Sequence, residues 1–215
     1  MAEVKQLKET KLGFQALDTV AGAFHGESAL GNLVADLSHE LVPHTDLGLT
    51  NGGGLRASIA PGPVTYGDIF KVMPFDNQLA IMKVSGAELK KLIEVGAFGN
   101  NGSYSWSSNL KFSADHCKLR QVTVDGRRVN PKRTYSIATS DFLAGGGSGV
   151  ASVKIPKDHV EIFWDHDKLL REMIVKRLEN WHRDLRSADF YSSATPRQII
   201  AGTCDRETTS QKAKN

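Results

Sequence analysis

The chain has 215 residues, 40% of them hydrophobic, with 27 Lys and Arg set against 24 Asp and Glu for a formal net charge of +3. A chain of that length buries about 70% of its unfolded surface, so it needs no metal or disulfide staple to fold, and its two cysteines, Cys117 and Cys204, leave one bridge or two free thiols open. The charges are interspersed: the most basic stretch, RRVNPKR at 127–133, has no aromatic and reads as a turn, which argues against a nucleic-acid surface, and no apolar run is long enough to span a membrane.

The opening MAEVKQLKET lacks the apolar stretch of a secretory signal. Residues 1–11 read as the end of a linker helix, belonging either to an excised fragment or to a chain whose natural start lies nearby. Residues 12–203 read as one domain and 204–215 as a polar tail. In 28–41 the apolar Leu30, Leu33, Val34, Leu37 and Leu41 recur at helical spacing until Pro43 stops the pattern. Residues 46–50 alternate and read as a strand that delivers the chain into the triple glycine of LTNGGGLRAS at 49–58.

A second strand is expected over 79–84, and SGAE follows it. Ser85 and Glu88 there form a capping box ahead of Leu89, Leu92 and Ile93. Asp125-Gly126, between alternating apolar residues, predicts a tight hairpin. Residues 134–139 form the next strand, which feeds a second glycine-rich loop, FLAGGGSG at 142–149. A strand near HVEIF precedes a long helix over 165–186, with Leu170, Met173, Ile174, Leu178, Trp181 and Leu185 on one face, so that Trp181 reads as core.

Several chemistries fail against this map. Gly52, Gly54 and Ala57 fit G-x-G-x-x-A, but Pro61 and Pro63 arrive where a dinucleotide fold would start its helix. Neither glycine cluster continues into Gly-Lys-Ser/Thr, and no Gly-x-Ser-x-Gly turn is present. The seven histidines form no HExxH, HxH or DxH, and the carboxylates of DHD at 165–167 read as helix caps. What remains is two glycine-rich loops, each after a strand and each accompanied by a phenylalanine. On position alone, Phe75 and Phe142 read either as core or as stacking platforms.

The series ESALGNLVAD, TNGGGLRASI, VTYGDIFKVMPFDN, SGAELKKLIE and TSDFLAGGGSG resembles, in order and spacing, the C-terminal domain of the 5'-nucleotidase and UDP-sugar hydrolase family. The resemblance covers residues 12–149 well and the final helix loosely. It implies an α+β fold, a layered mixed β-sheet with packed helices, that recognises a nucleotide or nucleoside. In the family a linker helix joins this part to an upstream metallophosphatase domain carrying two divalent metal ions. That domain's Asp-x-His, Asn-His and His-x-His elements have no counterpart here, so no metal or other cofactor is expected in this chain, and catalysis would need the two domains to close on each other. The parent would be periplasmic or extracellular, as many family members are.

By the same resemblance Phe75 and Phe142 sandwich the base and Asn51 bonds it or shapes its pocket. Arg56 contacts the ribose or phosphate side, its alternative being a buried salt bridge. Gly53 and Gly54 would let backbone approach the ligand, with positive backbone angles available to them. Two positions depart from the pattern. The family's Gly-Gly-Asp-Gly aspartate, which accepts from ribose hydroxyls, is replaced by Ser148. The arginine about three residues before the glutamate matching Glu27 is replaced by Phe24, with His25 beside it. The alternatives are a non-catalytic interaction module with a degenerate site, and the recognition part of a UDP-sugar, cyclic-nucleotide or thiosulfate-type hydrolase.

Overall fold

A computed structural model describes residues 8–163 and 169–202. Strand β1 (Lys11–Ala16) buries alternate residues, Leu12, Phe14 and Ala16, and pairs antiparallel with β3 (Gly62–Thr65). Helix α1 (Ala29–Leu41) starts where the pattern placed it, because the Ser28 side chain accepts the amide of Gly31; Leu30, Leu33, Val34 and Leu37 are buried along it. Strand β2 (Leu47–Asn51) is buried throughout and runs into a 3-10 turn at Gly52–Gly54.

A capping box absent from the sequence reading, Thr65 with Asp68, opens helix α2 (Tyr66–Val72). The expected box, Ser85 with Glu88, joins β4 (Leu79–Ser85) to helix α3 (Gly86–Phe98). Strands β5 (Tyr104–Trp106), β6 (Leu110–Asp115), β7 (Lys118–Val124) and β8 (Arg127–Arg128) follow. Asp125 and Gly126 take φ of 50° and 73° between β7 and β8, as a two-residue hairpin turn requires. Then come β9 (Thr134–Ser140), the short helix α4 (Asp141–Ala144), a 3-10 segment at Gly147–Val153, β10 (Val160–Ile162), helix α5 (Leu170–Glu179) and β11 (Gln198–Ala201).

Three sheets result: β1-β3, a mixed five-stranded sheet in the order β10-β4-β9-β2-β5, and a four-stranded sheet in the order β11-β6-β7-β8. The fold is α+β, a layered mixed sheet with packed helices. One core joins α1, α2, α5 and β1; another joins α3 to β2, β4, β9 and the β5–β7 region. Glu27 accepts from the backbone amides of Arg197 and Gln198 at 3.1 and 3.0 Å, which pins β11 in its parallel pairing with β6. Arg197, almost fully buried, reaches both carboxylate oxygens of Asp36 at 2.9 and 2.7 Å. Cys117 is disulfide-bonded.

The helix expected over 165–186 is shorter. It ends at Glu179; His182 turns the chain with φ of 50°, and Leu185 bonds the backbone of Gln15 and Leu17 instead of completing a helical face. The extra apolar residues belong to a following turn at Trp181 and an isolated bridge at Leu185, whose spacing imitated the helical period. Trp181 lies past the helix and is half-buried, stacked on Phe190 at 6.2 Å with its ring N–H donating to Glu40. The carboxylates of Asp165 and Asp167 lie outside the described residues, as do most of the expected linker helix and the polar tail; Lys11 already begins β1.

Candidate ligand-binding cleft

Topology brings distant loops together. Strands β2 and β9 are parallel, so their C-terminal ends carry both glycine-rich loops to the same sheet edge. Strand β4 is antiparallel to β9, with Leu79 opposite Ser140, which places the preceding Phe75 loop there too. Strand β5 is antiparallel to β2, with Tyr104 opposite Asn51, so Asn101 arrives from the fourth side.

These loops enclose a cleft of about 280 Å³ lined by Phe24, Asn51, Gly53, Gly54, Arg56, Phe75, Asn77, Asn101, Phe142 and Ser148. All seven predicted site residues therefore meet in one place. Phe75 and Phe142 are each 49% exposed, which removes the core reading for both. Among the described residues neither ring stacks on another aromatic. Their loops are tied together: the amide of Gln78 donates to Asp141 Oδ1 at 3.1 Å, and the amide of Asp141 donates to Gln78 O at 3.0 Å.

The glycines have different reasons. None of Gly52, Gly53 and Gly54 has a positive φ, contrary to what the sequence allowed. A Cβ on Gly52 would lie 2.4 Å from the carbonyl oxygen of Ala23 and 2.8 Å from that of Phe24, so the close approach is to the chain's own 23–24 segment. In the second loop a Cβ on Gly147 would lie 2.5 Å from the Phe142 ring, and its absence lets that ring lie against the loop. Ser148 itself sits in the left-handed region at φ 48°.

Polar groups complete the lining. Asn51, almost buried, donates through Nδ2 to Ser148 Oγ at 2.9 Å, and Tyr104 donates its hydroxyl to the Ser148 carbonyl at 2.8 Å. Burial pushes the Tyr104 hydroxyl well above its ordinary range, which keeps it a donor. Arg56 is exposed rather than buried in a salt bridge: its Nη1 donates to Gly53 O at 3.3 Å, and among the described residues it meets no carboxylate. Among the described residues no Asp or Glu lines the cleft, so the formal charge there is that of Arg56. Phe24, read from sequence as the loss of an arginine, is a third aromatic on the wall, its ring close to Gly53 and Gly102. Asn77, Asn101 and Tyr104 were not singled out from sequence; two lie in unpatterned loops, and the third has the alternation of an ordinary core residue. Glu27 turns away from the cleft to hold β11.

A family model described as the 5'-nucleotidase C-terminal domain matches residues 7–155. The chain belongs to that family. The matched segment contains every cleft residue, whereas α5 and β11 lie beyond it. Protein UshA of Yersinia enterocolitica is 32% identical over 133 residues, 61% of this chain and 24% of that protein. Endonuclease YhcR of Bacillus subtilis is 31% identical over 142 residues, 62% of this chain and 11% of that protein. The chain thus spans about a quarter or less of these relatives. Among solved structures, the 5'-nucleotidase precursor of Thermus thermophilus superposes with a TM-score of 0.78 at 24% identity, covering 94% of this chain and 41% of that one. A sulfate thiohydrolase SoxB from the same species gives 0.71 at 17% identity, over 94% and 37%. Family members therefore place this fold in the C-terminal part of longer hydrolases.

Proposed function

We propose that the cleft holds a nucleotide or nucleoside with its base between Phe75 and Phe142, and that this chain is the recognition part of a 5'-nucleotidase-type phosphoric ester hydrolase. The observation that carries the reading is the pair of half-exposed, unstacked phenylalanine rings lining one cleft with three asparagines. A planar base has two faces, and each aromatic contact contributes about 1–3 kcal/mol. The amides of Asn51, Asn77 and Asn101 can donate to or accept from base edges and sugar hydroxyls. Arg56 presents its planar fork to an anionic end.

Among the described residues no group of three or more His, Cys, Asp or Glu could hold a metal ion. The chain's own residues bind and orient the ligand. Two divalent ions held by a separate upstream domain would supply the Lewis-acid and nucleophile chemistry.

Stacking on two faces supplies about 2–6 kcal/mol against an association cost of at least about 4 kcal/mol, so the chain by itself is expected to bind near the millimolar range. The test is a chemical-shift titration with adenosine, AMP and UDP-glucose, repeated on Phe75→Ala and Phe142→Ala. Saturable shifts lost in both variants support the sandwich. A flat titration at several millimolar with folded variants removes it and favours an interaction module, a reading to which the missing carboxylate at Ser148 already lends weight.

A further inference from the structure

Phe75 stands on an irregular loop, residues 73–78, between α2 and β4, and its half-exposed ring has no aromatic partner among the described residues to fix its direction. The loop backbone sets where that ring stands. Arg171 on α5 reaches that backbone from inside the molecule. Its side chain is 4% exposed; Nη1 donates to the carbonyls of Met73 at 3.0 Å and Phe75 at 3.2 Å, and Nη2 donates to Asp76 Oδ1 at 2.9 Å. Nε donates to Glu172 Oε1 at 3.0 Å, and the same oxygen accepts the Tyr66 hydroxyl at 2.6 Å. The guanidinium also lies over the Phe70 ring, 4.7 Å from its centroid.

We infer that Arg171 is a positioning residue that holds the Phe75 loop, and through it the aromatic wall of the cleft, from a helix outside the family's matched segment. Three features support this. First, a buried guanidinium is costly unless its donors are satisfied, and here two of its bonds go to the carbonyls on either side of Pro74, the part of the loop that bears Phe75. Second, those contacts need a rigid fork; a lysine ammonium cannot span both carbonyls and the carboxylate in the same geometry. Third, the loop is fastened along its length by the same helix, since the amide of Leu170 donates to Asn77 O at 2.9 Å. In the sequence Arg171 is only an arginine on a helix, because its partners in the loop lie 95–98 positions away.

The consequence for ligand affinity rests on the nucleoside reading above; the consequence for loop order does not. The experiment combines Arg171→Met and Arg171→Lys, each in the native and the Phe75→Ala background, with adenosine titration, thermal unfolding and backbone ¹⁵N relaxation. In the native background Arg171→Met should weaken adenosine about tenfold and lower the order parameters at Phe75 to Asn77 from about 0.85 to below about 0.6. The Phe75→Ala background, whose adenosine shifts no longer saturate, is read by thermal unfolding alone, and the fall in Tm should be the same in both. A merely structural arginine would lower Tm without weakening adenosine or loosening residues 75–77 in the native background. Unchanged adenosine affinity in Arg171→Met, or unchanged order at 75–77, overturns the inference. If Arg171→Met does not fold, Arg171→Lys decides by the same two readouts, and a lysine chain indistinguishable from the native one also overturns it. If the native chain binds no adenosine, the nucleoside reading fails and the order parameters alone decide the role of Arg171.

Discussion

Ser148 occupies a backbone conformation, φ 48°, that Asp and Asn tolerate better than most residues, and its hydroxyl is already engaged by Asn51 Nδ2. An aspartate would fit the same conformation, keep that hydrogen bond and add a charged acceptor. Ser148→Asp is therefore expected to favour adenosine over adenine by about 1.5 kcal/mol more than the native chain does, read as the ratio of dissociation constants. At Gly52 the barrier is steric. Gly52→Ala should lower stability by about 1–3 kcal/mol in denaturant unfolding, because the added carbon would press on the Ala23 carbonyl. At this scale the sequence was informative where a residue's role follows from its own chemistry: paired phenylalanines beside glycines, an asparagine and an arginine flanking a glycine run. It was uninformative where the role depends on a contact. Phe24 looked like a missing cation, yet it forms a wall because Gly53 and Gly102 leave room for its ring. Tyr104, on which the sequence offered no reading, is core except for the one hydroxyl that holds Ser148 in place.

Among the elements, α1 was legible from its apolar period, and α3 and the β7–β8 hairpin because their cap and turn are short-range hydrogen-bond devices. The end of α5 was not, because past Glu179 the apolar residues pack against β1 and the pattern alone does not distinguish that from one more turn of helix. The Ser85–Glu88 box carries a testable pH signature. Hydrogen bonding from the Ser85 backbone amide, together with the Ser85 hydroxyl, holds the Glu88 carboxyl below its ordinary 4.5 despite the opposing effect of burial. A depressed carboxyl contributes stability that is present above the unfolded value and lost as pH falls through the folded one. Glu88→Gln should therefore flatten the acid limb of the stability profile below pH 4.5 while leaving its slope near neutrality unchanged, as followed by unfolding midpoints. Ser85→Ala should cost about 1 kcal/mol at neutral pH.

Across the whole molecule, the segment beyond the family's matched region packs α5 into one core and adds β11 to the four-stranded sheet, tying both to elements formed much earlier in the chain. The buried Arg197–Asp36 pair and the exposed Arg177–Glu40 pair provide an internal contrast. Removing one partner of a buried pair strands a charge, so Arg197→Met should destabilise the chain by about 3 kcal/mol; Arg177→Ala, at a surface screened by water, should cost under about 1 kcal/mol. Both are read from denaturant midpoints under one buffer. The clasp between Glu27 and the amides of Arg197 and Gln198 joins positions up to 171 apart, so it forms only when nearly all of the described chain is available. While the protein is being synthesised, the edge of β6 that β11 will cover has no partner. At about 5–20 residues per second, the ribosome needs roughly 4–17 s to go from Asp115 to Ala201. For that interval an alternating strand stands with an open hydrogen-bonding edge, and the timing of one late strand decides how long a nascent chain is exposed to pairing with its neighbours.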